Sequence, residues 1–254
     1  MAINANLLRR TPDHHPLLSA SDHRLLRRPS DRGLFLAAAI LFPLVVLAGY
    51  FKSYYFSAFF DVPSVANKLV HAHGLVMTLW VAYFSAQIAL IRTKNVRLHM
   101  TMGMAGVALA ALVVVVGMAT AYDAQLVRGS APPGVNPRSF FVLPALDMLL
   151  FVVFFAGAVY YRKRPTEHKT LMLMTAVAFV PAALFRLPVV PPQLMIHWAF
   201  GVPLLVALAC LGWHARKHRR LNKVFAAAVL LLVASHPLRI FLLGSEAWLR
   251  FTAW

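Results

Sequence analysis

The chain has 254 residues, of which 60% are hydrophobic and 13% charged, with a mean hydropathy of +0.69. Soluble domains are normally about 45–50% apolar and about a quarter charged, so the composition excludes an ordinary soluble domain and indicates a membrane protein. The formal charge of +17 does not indicate nucleic-acid binding, because the Lys and Arg residues lie in an N-terminal segment and in short loops rather than on one continuous face. We therefore expect the lipid bilayer, and no nucleic acid, as a partner.

A polar segment at the N-terminus is followed by a series of apolar segments. Residues 1–32 carry six arginines and predict an uncleaved, polar cytoplasmic N-terminal arm. A membrane-spanning helix needs about 20 apolar residues. Seven segments meet this requirement: 33–51, 68–91, 99–122, 139–161, 168–190, 192–213 and 223–243. The sequence therefore predicts an all-α polytopic membrane helix bundle over 33–243, with seven transmembrane helices, and a short periplasmic tail over 244–254.

Positive charge is concentrated on one side of this predicted bundle. Eighteen of the 25 Lys and Arg residues lie in the ranges 1–32, 92–98, 162–169 and 214–223, which are the arm and the three loops of one side. Cytoplasmic loops of membrane proteins carry an excess of Lys and Arg. We therefore predict a cytoplasmic N-terminus, an external C-terminus and a location in the bacterial inner membrane.

Ionisable side chains inside the apolar spans are the candidate functional residues. At about 1.5 Å of rise per residue, all of them are predicted to lie near the outer face of the membrane, and they belong to five different spans. We call them the outer layer: His71, His73, Asp147, Arg186, His197, His236 and Arg239. Burying such groups in hydrocarbon is costly, so each is a functional candidate by default. The alternative is an internal polar network that holds the bundle together.

Helix geometry narrows the outer layer. Residues two apart on a helix point about 200° away from each other, so only one of His71 and His73 can face the interior, and the sequence leaves open which one does. A second set of histidines comes at the cytoplasmic ends of the spans, beside the basic loops. We interpret this set as a solvated, lipid-facing surface: His99, His168, His214 and His218.

Imidazoles on separate helices of an apolar bundle are what b-type haem requires. We predict that the protein binds haem b and takes part in electron transfer, with His73 and either His197 or His236 as the metal ligands. Arg186 and Arg239 would pair with the haem propionates. Asp147 would either support the haem ligands without contacting the haem or handle protons. The redox partner would be a quinone or another protein.

Two other functions remain open from the sequence. The protein could be a proton-coupled transporter or proton relay that uses Asp147 and the intramembrane His and Arg residues. It could also be a non-catalytic accessory or assembly subunit of a membrane complex. The sequence lacks HExxH, its last span has no Lys after Lys223, and its HxxxH pair, His214 and His218, has no accompanying HxxHH. These absences exclude a zinc protease, a retinal pump and a di-iron hydroxylase of the usual types.

One string resembles a known kind of protein: His71-Ala-His-Gly-Leu-Val-Met-Thr-Leu-Trp80, Gln87 and Leu98-His99-Met-Thr-Met-Gly103. It is similar to uncharacterised multi-pass bacterial inner-membrane proteins in which an intramembrane His is followed by a short basic loop and an LH-x-x-x-G helix start. The layout over 68–106 also resembles, loosely, haem-binding membrane proteins of the cytochrome b and haem A synthase kinds. This resemblance implies helix-borne histidines that ligate haem.

Overall fold

The structure is a computed structural model that describes residues 31–62 and 67–253. Within these ranges the regular structure is helical. The helices are α1 (Arg32–Tyr50), α2 (Lys68–Arg92), α3 (Val96–Tyr122), α4 (Pro137–Phe140), α5 (Val142–Tyr160), α6 (Pro165–Leu184), α7 (Met195–His218), α8 (Lys223–Leu243) and α9 (Glu246–Phe251). The predicted all-α class is confirmed for the described residues. Most of the predicted arm, residues 1–30, lies outside them.

Six helical stretches among the described residues are long and apolar enough to cross a membrane. They are Arg32–Tyr55, Lys68–Arg92, Val96–Val127, Pro137–Tyr160, Pro192–His218 and Lys223–Leu243. The protein is therefore a multi-pass membrane protein with several long apolar helices. The remaining predicted span, 168–190, corresponds to α6, which is not one of the six.

Helix α6 is the centre of the bundle, packed against α1, α5, α7 and α8. Twelve of its 20 residues are buried. Its first turns carry Glu167, His168 and Lys169, which lower its apolar content. A helix that is surrounded by other helices meets little lipid, so its sequence can be more polar than that of its neighbours.

Prolines and asparagines set several helix boundaries. Asn67, Asn95 and Asn222 each accept a hydrogen bond from a backbone N–H of the first turn of α2, α3 and α8, as residues at this position commonly do. Helix α6 ends at Leu184, six residues before the predicted end, in front of a segment that contains Pro188. A proline disfavours helical backbone in the residue that precedes it, which explains an early end.

Two further boundaries differ from the sequence prediction. Helix α7 continues to His218, five residues beyond the predicted span, so the last histidines of this segment belong to the helix rather than to a loop. The predicted tail contains the short helix α9, whose Ser245 caps its first turn by accepting from the N–H of Trp248.

Candidate functional site

A buried ion pair joins α5 and α8 inside the outer layer. Nη2 of Arg239 lies 2.8 Å from Oδ1 of Asp147, with side-chain exposures of 2% and 13%. Nη1 of the same guanidinium donates to the backbone oxygen of Leu143 at 3.0 Å. Its Cζ lies 4.2 Å from the centroid of the Phe200 ring on α7. Arg239 therefore ties three helices together through a carboxylate, a carbonyl and an aromatic face.

Two histidines lie next to this ion pair. His236 is one helical turn before Arg239 on α8, and its ring centroid is 5.7 Å from that of His197 on α7, in an edge-to-face arrangement. Phe200 is a shared neighbour, since its ring is also 6.3 Å from the His236 ring. Nδ1 of His236 is buried and has no hydrogen-bond partner among the described residues, whereas His197 is exposed at the surface of the bundle. The structure therefore brings together four members of the outer layer: Asp147, His197, His236 and Arg239.

The other three members lie elsewhere. His73 is half-buried on α2, with an Nδ1 that has no hydrogen-bond partner among the described residues, while His71 is exposed. The centroid of the Tyr54 ring lies 6.1 Å from that of the His71 ring, and the Tyr54 hydroxyl donates to the backbone oxygen of His71. His73, rather than His71, therefore faces the protein.

Arg186 lies just after α6 and is exposed. Its Nη1 donates to the backbone oxygen of Ala182 at 2.6 Å, and its Cζ is 4.2 Å from the centroid of the Tyr50 ring. Together with Lys52 it lines a cavity of about 560 Å³ at the end of α1.

The outer layer suits haem only in part. Two axial imidazoles must lie on opposite faces of a porphyrin, with the macrocycle between them. The His197 and His236 rings contact each other directly and leave no such space. His73 makes no ring contact with either of them within the described part of the chain. The His197–His236 pair therefore does not fit a two-histidine haem in this arrangement. The pairing of His73 with one of them stays a prediction, and His73 and His236 each keep one imidazole nitrogen unpaired.

A second cluster, at the other end of the bundle, combines Asp31, Lys169, His214 and His218. We call it the His/Asp cluster. The Asp31 carboxylate, 1% exposed, accepts from Nζ of Lys169 at 2.7 Å. It also lies 3.0 Å from Nε2 of His218 and 3.4 Å from Nδ1 of His214. Burial acts to raise the pKa of Asp31, but hydrogen bonds from Lys169 and His218 outweigh it and hold this pKa below its ordinary value.

The interpretation of His214 as a solvated surface residue is wrong, because its side chain is only 3% exposed. It stacks on the ring of His218, one turn later, with centroids 4.2 Å apart. The spacing of this pair is visible in the sequence. Asp31, by contrast, looked like part of the arm, and nothing local connects it with two histidines more than 180 residues later.

His99 and His168 form a third contact, between the first turns of α3 and α6. Their ring centroids are 6.3 Å apart. Nδ1 of His168 lies 2.9 Å from the backbone oxygen of Ala158, which anchors it to the end of α5. This contact joins the starts of two helices and brings no acidic group or further histidine with it among the described residues.

Comparison of the chain with protein-family models, with curated proteins and with solved structures gives no match.

Proposed function

We propose that this protein crosses the bacterial inner membrane seven times and moves protons through the ion pair Asp147–Arg239 and the adjoining histidines, as a proton relay or proton-coupled transporter. The N-terminus is cytoplasmic in this proposal.

The topology rests on α6. Its 20 residues rise about 30 Å, the thickness of the hydrocarbon core. Lys169 in its first turns belongs to the His/Asp cluster, together with the start of α1 and the end of α7. Phe185, just after its end, contacts Phe200 near the start of α7, with ring centroids 5.5 Å apart. These contacts support a helix that runs from one end of the bundle to the other, which is what a seventh crossing requires.

Orientation follows from charge. With seven crossings, the loops at 92–98, 162–169 and 214–223 lie on the same side as residues 1–32, and these ranges carry most of the cations. Such a bias is typical of the cytoplasmic side. The matched check is a periplasmic reporter fused after Trp254, which should be active. An inactive fusion at Trp254, with an active one in the loop at 162–164, would contradict the orientation.

The observation that carries the function is the burial of Asp147 and Arg239 within apolar helices. A buried ion pair is weak support for stability, because replacing both partners by apolar residues is often neutral or stabilising. Ionisable groups inside membrane spans commonly belong to proton or solute pathways. His236 and His197 extend this pair to the surface of the bundle, and a neutral imidazole can both donate and accept a proton.

The test is proton flux across liposomes that contain the purified protein and a trapped pH-sensitive dye. The wild-type protein should dissipate a pH gradient faster than protein-free liposomes. Asp147→Asn should slow this flux by about 10²-fold or more, which is the usual contribution of a positioned proton-transfer group. His71→Ala is the matched control, since His71 is exposed and outside the four-residue group, and it should keep wild-type flux. Equal fluxes for wild-type protein and empty liposomes would refute the proposal and favour an accessory subunit.

Haem b is the second candidate, supported by the unpaired ring nitrogens of His73 and His236. Haem would supply one-electron chemistry, with His73 and His236 as its candidate imidazole ligands. The test is an absorption spectrum of the detergent-purified protein before and after dithionite. A Soret band and a sharpened α band that are lost in His73→Ala or His236→Ala, but not in His71→Ala, would support this candidate. A colourless preparation from haem-replete cells would refute it.

A further inference from the structure

We propose that the His/Asp cluster is a binding site for one divalent transition-metal ion of the zinc class, held by Asp31, His214 and His218. The site is separate from the ion pair of the proposed function and would exist whether or not the protein moves protons.

The ligand atoms already converge. One carboxylate oxygen and one ring nitrogen of each histidine lie within 4.8 Å of one another. From Oδ2 of Asp31, the separations are 3.1 Å to Nε2 of His218 and 3.4 Å to Nδ1 of His214. Ligand atoms bound tetrahedrally to zinc at 2.0–2.2 Å are about 3.3–3.6 Å apart. A metal ion can therefore enter with little movement of the three side chains.

The local structure also directs these side chains toward one point. His214 and His218 are four residues apart on α7, so they lie on the same face of the helix. Asp31 is at the position before the first turn of α1, where an aspartate normally accepts from backbone N–H groups of that turn. Its side chain makes no such bond and is turned toward the histidines instead. The carboxylate thus gives up its usual helix-capping role for this cluster.

The kinds of ligand determine the kind of metal. Two imidazoles and one carboxylate suit Zn²⁺ and its first-row neighbours, whereas Mg²⁺ and Ca²⁺ prefer oxygen ligands. The C-terminal end of α7, where both histidines lie, favours positive charge because of the helix dipole. Three protein ligands leave a fourth position open for water or another ligand, as in catalytic rather than structural zinc sites.

Lys169 distinguishes a metal site from a simple salt bridge. Its Nζ bonds to Oδ2 of Asp31 at 2.7 Å and competes with a metal ion for the carboxylate. If the cluster exists to bind metal, Lys169→Met removes the competitor, and zinc should bind as tightly as in the wild-type protein or more tightly. If the cluster is only an ion pair, the same change leaves no zinc binding to measure.

The experiment uses the full chain, purified in detergent with an affinity tag that contains no histidine, stripped with EDTA and titrated with Zn²⁺. We expect one zinc per chain that survives gel filtration. His214→Ala and His218→Ala should each weaken binding at least about 100-fold, because even residues that only contact a ligand commonly contribute 10–100-fold. Titration with Co²⁺ should give visible bands typical of a four-coordinate ion, and these bands should be absent from both variants.

Two controls exclude binding elsewhere. His99→Ala removes a histidine at the same end of the bundle that does not belong to the cluster, and it should keep full zinc binding. A triple substitution of His14, His15 and His23 by Ala tests the N-terminal arm and should also keep it. Gel filtration of each variant shows whether it is folded. An unchanged stoichiometry in folded His218→Ala, or no retained zinc in the wild-type protein, would overturn the proposal.

Discussion

The ion pair between Asp147 and Arg239 predicts an unusual pattern of stabilities in a double-mutant cycle. Asp147→Leu leaves a guanidinium that is 2% exposed without its carboxylate. Removing one partner of a buried ion pair typically destabilises a protein by about 3–5 kcal/mol. Arg239 keeps its bond to the backbone of Leu143 and its contact with Phe200, which is worth about 0.5–2 kcal/mol. We therefore expect a loss near the lower limit, about 3 kcal/mol.

The double variant Asp147→Leu/Arg239→Met should behave differently. Replacing both charges by apolar groups removes the desolvation penalty together with the attraction, so its free energy of unfolding should lie within about 1 kcal/mol of the wild-type value. Arg239→Met alone leaves a buried carboxylate and should resemble Asp147→Leu.

The assay is unfolding by SDS titration from mixed micelles, followed by helical circular dichroism, for the wild-type protein, the single variants and the double variant. The coupling energy, which is the difference between the loss of the double variant and the summed losses of the two single variants, measures the interaction of the two charges. Two single variants that each lose less than about 0.5 kcal/mol would show that the charges are not buried against each other and would refute the reasoning.

Two further predictions concern the packing and the ends of the helices. A Cβ atom added to Gly49 would lie 2.8 Å from Cα of Ala183 on α6, so Gly49→Ala should destabilise the bundle by about 1–3 kcal/mol in the same SDS titration. A Cβ atom added to Gly212 would have no atom within 4 Å, so Gly212→Ala should be neutral or slightly stabilising. Asn222 accepts from the N–H of Phe225 at 2.9 Å, so Asn222→Ala should cost about 1 kcal/mol and Asn222→Asp should restore most of it. An Asn222→Ala variant as stable as the wild-type protein would contradict the second prediction, and equal effects of the two glycine substitutions would contradict the first.

The helical class and most of the helix positions were predictable because long apolar segments have few alternatives in a membrane protein. The predicted range 223–243 coincides with Lys223–Leu243, and Asn222 supplies a visible start signal. The end of α6 was predicted too late, because an apolar segment that contains Pro188 looks continuous by composition although its backbone leaves the helix at Leu184. Composition also distinguishes α6 from the other long helices, since its first turns carry Glu167, His168 and Lys169.

The candidate sites were also predictable only in part. The distance of a residue from the end of its helix can be read from the sequence. This distance placed Asp147, Arg239 and His236 at a similar level of the bundle, and the structure brings them close together. Rotation and helix neighbours cannot be read in this way, so the direct contact between His197 and His236 came only from the structure. The His/Asp cluster was missed because Asp31 and Lys169 join it across distant parts of the chain.

Proton flux through liposomes that contain Asp147→Leu/Arg239→Met tests the central claim most directly. This variant should be as stable as the wild-type protein, so a change in flux reports the function of the ion pair and not the loss of the fold. The account predicts clear flux for the wild-type protein and none above protein-free liposomes for the double variant. Wild-type flux in a folded double variant, or no flux in the wild-type protein, would contradict it.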